Sequence, residues 1–344
     1  MWKRAAALVI SIAVSAVFLW WALRDIPLAE VTANIRQARP GWLLIGLAAG
    51  LTGIYTRGIR WRGLVNFQID RRRAFYIVGI MMMLNLLFRL GEVARTVLAR
   101  RERVPVVTAA TSIVVERLLD TVLVLLVLAI TFSQVTNMPP EVALRIQQIA
   151  PLFVVASVVG FAVLVALARF PTIARNLLHW FTARLPFLER LPLDDLLEHL
   201  LLGLRPLTNP VQLAHAIGWT LISWTFSYIM FLTTFYAFGM TDLPAVLLES
   251  GLAMSLASLS VAPPSVGAIG VFEAAVILAG QAFGTPRADA LAVGFTVHTV
   301  TIVVYIITGL IGFAAMGVAL TEVVDADDPA AEEIEVTPAA GAGS

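Results

Sequence analysis

Three short stretches of this chain hold the residue types that could do chemistry in an otherwise apolar sequence. The most concentrated is Glu116-Arg117-Leu118-Leu119-Asp120. Glu116 and Asp120 are four apart and share a helix face, while Arg117 and Asp120 are three apart and can pair. The apolar run after Asp120 is too short to cross a bilayer, so part of this triplet must lie below the headgroups. Ionisable groups there cost several kcal/mol unless they are paired or hydrated. Two readings follow. Arg117 snorkels to the headgroups and locks the helix through Asp120, or the arginines hold a lipid phosphate and the acids orient them.

Other arginines extend the second reading, because a guanidinium is a planar, permanently charged fork for oxyanions. Arg57, Arg89 and Arg95 are the candidates. Arg60, Arg62 and Arg71 to Arg73 read instead as charges that set topology. Asn85, Arg89, Gly91 and Glu92 sit at a turn and are the types that could line a wet cavity. A late break, Pro263-Pro264-Ser265-Val266-Gly267-Ala268-Ile269-Gly270, leads to Glu273, which either tunes a site or meets a helix N-terminus. Glu249 and His298 lie in apolar surroundings and read as packing hydrogen bonds.

The elements that must position these groups follow from composition. Of the 344 residues 59% are hydrophobic, only 14% are charged, and mean hydropathy is +0.87, against roughly 25% charged residues in soluble domains. The expected fold is all-α: a polytopic integral membrane bundle over residues 1–320 with about six full spans and two re-entrant helical hairpins. Full spans are expected at 5–23, about 41–55, 111–131, 151–168, 212–238 and 288–320. The run 74–88 is short, about 22 Å of helix, and carries arginines at both ends, as a hairpin re-entering from the cytoplasmic side would. The pair 244–261 and 268–283 makes a second hairpin from outside, so the two point at each other, as in transporters built from inverted repeats. The connection after Tyr55, with Arg57, Arg60 and Arg62, is expected to be cytoplasmic. So are both termini, which places the protein in a plasma (inner) membrane. An outer loop (132–149) and an inner amphipathic connection (169–210) complete the membrane part. Residues 321–344 hold seven acids and no Lys or Arg, and are expected to form a disordered cytoplasmic tail.

Composition also excludes. With no cysteine there is no disulfide, thiolate nucleophile or Cys-ligated metal. Lys3 is the one lysine, and no phosphate-cradling Gly-rich loop with a lysine exists, which argues against ATP hydrolysis by this chain. The histidines, His179, His199, His215 and His298, are scattered. No cofactor, metal or nucleic-acid partner is expected.

The stretch from Asn85 to Arg95, the Glu116-Arg117-x-x-Asp120 element and Pro264-x-x-Gly267-x-x-Gly270-x-x-Glu273 together resemble, in order and spacing, the membrane domain of lysylphosphatidylglycerol synthases. The resemblance spans about Thr52 to Val318. It departs at Phe88-Arg89, where the family has a proline near the turn. In the two-domain synthases the membrane part is implied to move aminoacylated phospholipid between leaflets, while a soluble domain transfers the aminoacyl group. Only about 24 residues follow the last span, so aminoacyl transfer is not carried over. The resemblance implies a flippase-like protein that binds, and translocates, an anionic phospholipid or a polyprenyl-phosphate-linked lipid. Arg57, Arg89, Arg95 and Arg117 would meet the phosphate, with Glu92, Glu116, Asp120 and Glu273 tuning the cavity or carrying protons. Two alternatives stand beside it. One is an intramembrane enzyme acting on a lipid headgroup, with Glu92 or Glu273 as base, although no nucleophile with an adjacent base is present. The other is a lipid-binding accessory protein. A homo-oligomer or a membrane partner is compatible with each.

Overall fold

The computed structural model describes residues 2–24, 26–88, 90–135, 152, 155, 158–163, 165–184, 193, 194, 197, 198, 201, 204, 208–260 and 265–320. Among the described residues regular structure is helical. Besides a helical stretch over residues 158–169, the helices run in the order α1 (Trp2–Leu23), α2 (Leu28–Gln37), α3 (Pro40–Leu64), α4 (Arg71–Phe88), α5 (Gly91–Arg101), α6 (Val106–Phe132), α7 (Pro171–Thr182), α8 (Pro210–Ala237), α9 (Ala245–Leu259), α10 (Val271–Phe283) and α11 (Arg287–Met316). Local signals place the ends. Pro40 and Pro210 start α3 and α8 at positions where no N–H is needed, and the Asn209 side chain accepts the Val211 N–H at 2.9 Å. The Asp70 carboxylate accepts the Arg72 N–H at 2.9 Å in front of α4. Gly317, at φ +62°, closes α11.

The chain is a polytopic membrane protein. α3, α8 and α11 are each long and apolar enough to cross a bilayer, and two bent pairs could each supply one more span: residues 9–23 with α2, and 158–169 with 171–180. α6 is 27 residues long, about 40 Å, and differs from these in carrying Glu116, Arg117 and Asp120. All six stretches expected to cross are helical over most of their described residues, the fifth ending at Ala237 and the last at Met316, short of their expected ends. The second one is longer than expected: α3 continues through Leu64, so Arg57, Arg60 and Arg62 lie on its last turns and not in a connection. α2 was not anticipated; its weak apolar pattern hides an element whose Asn34 donates to Asp289 at 2.6 Å and which packs on α11. Residues 136–149 of the expected outer loop, and the tail 321–344, lie outside the described residues. The expected amphipathic connection is visible in α7. Phe170, Ile173, Leu177 and Trp180 form one exposed apolar stripe, as on a helix lying along a membrane surface.

The four helices between the long ones of each half are short: α4 and α5 have 18 and 11 residues, α9 and α10 have 15 and 13. At 1.5 Å per residue each falls short of a ~30 Å hydrocarbon core. They form two hairpins, and the hairpins meet at their tips: a Cβ on Gly267 would sit 3.5 Å from Leu86 Cδ1 and 3.6 Å from the Leu86 carbonyl oxygen.

The packing has an internal two-fold. Exchange α3 with α8, α4 with α9, α5 with α10 and α6 with α11, and the pattern of helix contacts is unchanged. α4 packs on α11 as α9 does on α6; α5 packs on α6 as α10 does on α11; α3 touches α11 as α8 touches α6. The most extensive contact, α3 on α8, maps onto itself. Those two helices run antiparallel, since Gly46 lies against Met230 and Thr233 while Gly63 lies against His215. Equivalent helices that run antiparallel make the two halves inverted repeats. Small residues permit the approach: a Cβ on Gly46 would stand 2.9 Å from Thr233 Oγ1, and one on Gly50 would stand 3.1 Å from Met230 Sδ.

The first hairpin closes equally tightly. Gly91 donates its N–H to Asn85 Oδ1 at 2.9 Å, and a Cβ there would fall 2.1 Å from the Met81 carbonyl oxygen. Gly91→Ala should therefore force α5 away from α4 and cost about 1–3 kcal/mol. Gly218→Ala, on a helix position with nothing within 4 Å, should be neutral or slightly stabilising. Thermal unfolding of the two purified variants beside wild type checks both; equal losses would refute the close-packed hairpin.

Candidate functional site

Between the hairpin tips and the faces of α3, α6, α8 and α11 lies a cavity of about 280 Å³. Arg57 reaches it from α3, Met82, Asn85 and Leu86 from α4, and Arg117, Asp120, Thr121 and Val124 from α6. Trp224 and Ser227 come from α8, Ser258 from α9, Ser265 and Gly267 from the second tip, Phe272 from α10, and His298, Thr301 and Tyr305 from α11. The faces of α6 and α11 correspond. Arg117, Asp120 and Val124 repeat the spacing of His298, Thr301 and Tyr305, and Arg117 and His298 are each the twelfth residue of their helix, counting from Val106 and Arg287.

Behind the cavity sits a buried ionic network. Arg60, 3% exposed, donates from Nε to Glu116 Oε1 at 3.2 Å, from Nη1 to Asp120 Oδ1 at 2.5 Å and from Nη2 to Asp120 Oδ2 at 3.2 Å. Trp224 Nε1–H also donates to Asp120 Oδ1, at 2.8 Å. The other oxygen of Glu116 accepts from Arg95, which is 2% exposed and lies 5.1 Å from the centroid of Trp61. Two guanidinium groups are thus neutralised by two carboxylates, by the only route that makes such burial tolerable in lipid. Arg117 pairs with Glu92, not with Asp120 as the three-residue spacing allowed, because Arg60 from a neighbouring helix reaches Asp120 first.

Arg57 differs. Its Nη2 donates to Ser227 Oγ at 3.2 Å and its guanidinium lies 5.5 Å from the centroid of Trp224. Among the described residues it makes no ion pair with a carboxylate. Of the three charged side chains that line the cavity among the described residues, Asp120 is neutralised by Arg60 and Arg117 by Glu92, which leaves the charge of Arg57 unbalanced among them.

The sequence-nominated residues therefore divide. Arg57, Asn85, Arg117, Asp120 and Gly267 line the cavity, and Gly91 and Glu92 stand at its edge through Asn85 and Arg117. Arg95 and Glu116 are packed behind it as a buried pair. Glu273 is buried behind the second tip: Oε2 accepts the Gly270 N–H at 2.6 Å and Oε1 lies 2.7 Å from His298 Nδ1. Gly270 takes φ +83°, and α1 presses so closely there that a Cβ would lie 2.5 Å from the Leu19 nitrogen. Arg89 and Pro264 lie outside the described residues. Sequence reasoning missed four participants: Arg60, taken for a topology-setting charge; His298, taken for a packing group; and Trp224 and Ser227. One signal could have found His298. Glu92 and Arg117 are 25 residues apart, and so are Glu273 and His298.

Glu116 is the hinge of the network, since its removal strands two arginines. Glu116→Ala should lower stability by about 3–5 kcal/mol, the range for breaking a buried pair from one side. Arg57→Ala, losing only a hydroxyl and a ring partner, should cost less than about 1 kcal/mol. Denaturant titration in detergent micelles measures both, and comparable losses would contradict the network described here.

The family model described as Lysylphosphatidylglycerol synthase TM region matches residues 8–309. No curated protein and no solved structure matches the chain. The match takes in both hairpins, the helices of the inverted repeats as far as residue 309 of α11, and every described residue of the cavity. This chain belongs to the lysylphosphatidylglycerol synthase TM region family, membrane proteins related to lipid synthesis.

Proposed function

We propose that the cavity binds the phosphate-bearing headgroup of an anionic phospholipid or polyprenyl-phosphate-linked lipid and passes it across the bilayer. The observation that carries this reading is Arg57, a guanidinium facing a cavity in which every other charge among the described residues is already paired. A phosphodiester brings one negative charge and oxygens that match the guanidinium fork, and Ser227 and Asn85 supply neutral donors beside it. At about 280 Å³ the space is near the small end of ligand sites, so it suits a headgroup while the acyl or prenyl tails stay in lipid.

Arg117 becomes the second phosphate partner when Glu92 yields it, and Asp120 holds Arg60 and Trp224 in place rather than touching the lipid. Arg89, at the turn between α4 and α5, is placed by sequence to meet the headgroup as it enters. Arg95, Glu116 and Glu273 frame the site. Inverted repeats support the translocating part of this reading, because exchanging the conformations of two equivalent hairpins offers the cavity to opposite leaflets in turn. The arginine-rich helix ends favour a plasma (inner) membrane location with both termini in the cytoplasm.

Reconstitution into vesicles with a fluorescent anionic phospholipid, read by chemical quenching of the outer leaflet, tests this. Wild type should move the probe. Arg57→Ala should slow it by at least about tenfold, the loss of one charge-assisted contact, and Arg57→Lys should keep part of the rate. Because the chain has no cysteine, Leu86→Cys with Gly267→Cys can join the two tips without background. That disulfide should stop movement until it is reduced. Wild-type rates in Arg57→Ala, or in the cross-linked protein, would remove the reading.

A further inference from the structure

The two hairpins are fastened to their repeats by equivalent contacts of different chemistry. In the first repeat Glu92, at the start of α5, pairs with Arg117 of α6. In the second, Glu273, at the start of α10, pairs with His298 of α11 at the same separation of 25 residues. An arginine keeps its charge at any pH a membrane meets. A histidine does not.

The hydrogens at His298 can be counted from its neighbours. Nδ1 lies 2.7 Å from Glu273 Oε1, and Nε2 lies 3.0 Å from the carbonyl oxygen of Gly267. The Gly267 carbonyl only accepts, so Nε2 must carry a hydrogen. A second hydrogen must lie between Nδ1 and Oε1, whether it belongs to the ring or to the carboxyl. Glu273 Oε2 already accepts from the Gly270 N–H at 2.6 Å, so no hydrogen is needed there. The arrangement holds two labile protons and is neutral as a unit, written either as imidazolium with carboxylate or as imidazole with carboxylic acid.

We propose that the Glu273–His298 pair is a proton-binding site that fastens the second hairpin tip while both protons are present and frees it when one leaves. Loss of one proton, to water in the cavity that His298 lines, turns a neutral pair into one with a net negative charge. Glu273 and His298 are only 2% and 4% exposed, so this charge is buried. It also leaves acceptor facing acceptor, either at Nδ1 and Oε1 or at Nε2 and the Gly267 carbonyl. Both penalties are relieved if Gly267 moves away and water enters. Gly267 lies beside Leu86 of the opposite tip, so releasing its bond to His298 loosens the residue at which the two tips meet. Phe272, stacked on the imidazole at 4.3 Å and 17°, keeps the ring in plane for both bonds.

Other groups around His298 do not substitute for this pair. The charged or titratable side chains that share its cavity are Arg57 of α3, Arg117 and Asp120 of α6 and Tyr305 of α11. Asp120 is held by Arg60 and Arg117 by Glu92. α4, α8 and α9 present Asn85, Ser227 and Ser258 there, and on α1, outside the cavity lining, the Ser15 hydroxyl accepts the Val266 N–H at 2.9 Å. Glu249 of α9 is turned toward Gly280, two helical turns along α10 from Glu273.

The test uses the full chain in nanodiscs of a zwitterionic phospholipid, so it does not depend on any anionic lipid being bound or moved. Amide hydrogen exchange of residues 265–270, corrected for the intrinsic pH dependence of exchange, is followed from about pH 5 to about pH 9. Wild type should lose protection at this tip by at least about fivefold as pH rises, with residues 274–283 of α10 unchanged. Glu273→Gln offers an amide N–H to Nδ1 and a carbonyl to the Gly270 N–H, so a neutral imidazole satisfies every contact. This variant should stay protected throughout the rise. Glu273→Ala should exchange fast at every pH. A tip in wild type whose protection ignores pH, a Glu273→Gln profile that follows wild type, or loss of protection spread over all of α10 overturns the proposal.

Discussion

Everything in this chain is arranged around the cost of putting charge and broken backbone where there is no bulk water. Four ionised side chains, Arg60, Arg95, Glu116 and Asp120, are gathered at one crossing of α3, α5 and α6, and each is ion-paired with another, although Arg95 meets Glu116 through Nη1 alone and keeps Nε and Nη2 without a hydrogen-bond partner. The gathering fixes the register of those helices, because a slip of one residue on α6 would take Glu116 out of reach of both arginines. It also decides what the cavity can do. With those four charges closed on one another, Arg57 is left half-buried as the surplus charge on the cavity side among the described residues. A ligand able to answer it with one negative charge gains an attraction that the protein's own carboxylates do not already satisfy.

The two-fold exchange of helices gives a second constraint. A cavity on the axis of two inverted repeats sees the same backbone from both halves, yet the side chains differ: Arg117 and Asp120 on one face, His298 and Thr301 on the other. Backbone symmetry permits two equivalent conformations. Side-chain asymmetry gives them different free energies and different responses to what is bound. A permanent ion pair at one hairpin and a neutral two-proton pair at the other is one form of that asymmetry.

Sequence carried the class of fold and the hairpins, since both depend on the length of apolar runs and on where Gly, Pro and Arg interrupt them. The break before Glu273 and the turn at Gly91 were legible for that reason, as were α7 and the long helices α6, α8 and α11. The end of α3 was not. Arg57, Arg60 and Arg62 look like a cytoplasmic connection until Glu116 and Asp120 are placed beside Arg60, and that proximity depends on helices 50 to 60 residues away. The same reason misplaced the partner of Arg117: spacing within one helix names neighbours, but Asp120 was taken by another helix.

What the site lacks in sequence signature it makes up in paired spacing. Glu92 to Arg117 and Glu273 to His298 span the same number of residues because each joins the first turn of a short helix to the twelfth residue of the next. Each half-pair alone looks unremarkable, a carboxylate at a helix start and a polar residue in an apolar run. Together they tie each hairpin to the helix that follows it, next to a cavity with one unanswered cation. A hairpin tied by a bond that can be broken locally is able to move without unpicking the buried network behind it. That separation keeps the closed ionic frame that buries arginines in lipid apart from the contacts that hold the hairpin tips, one a permanent ion pair and the other a two-proton pair.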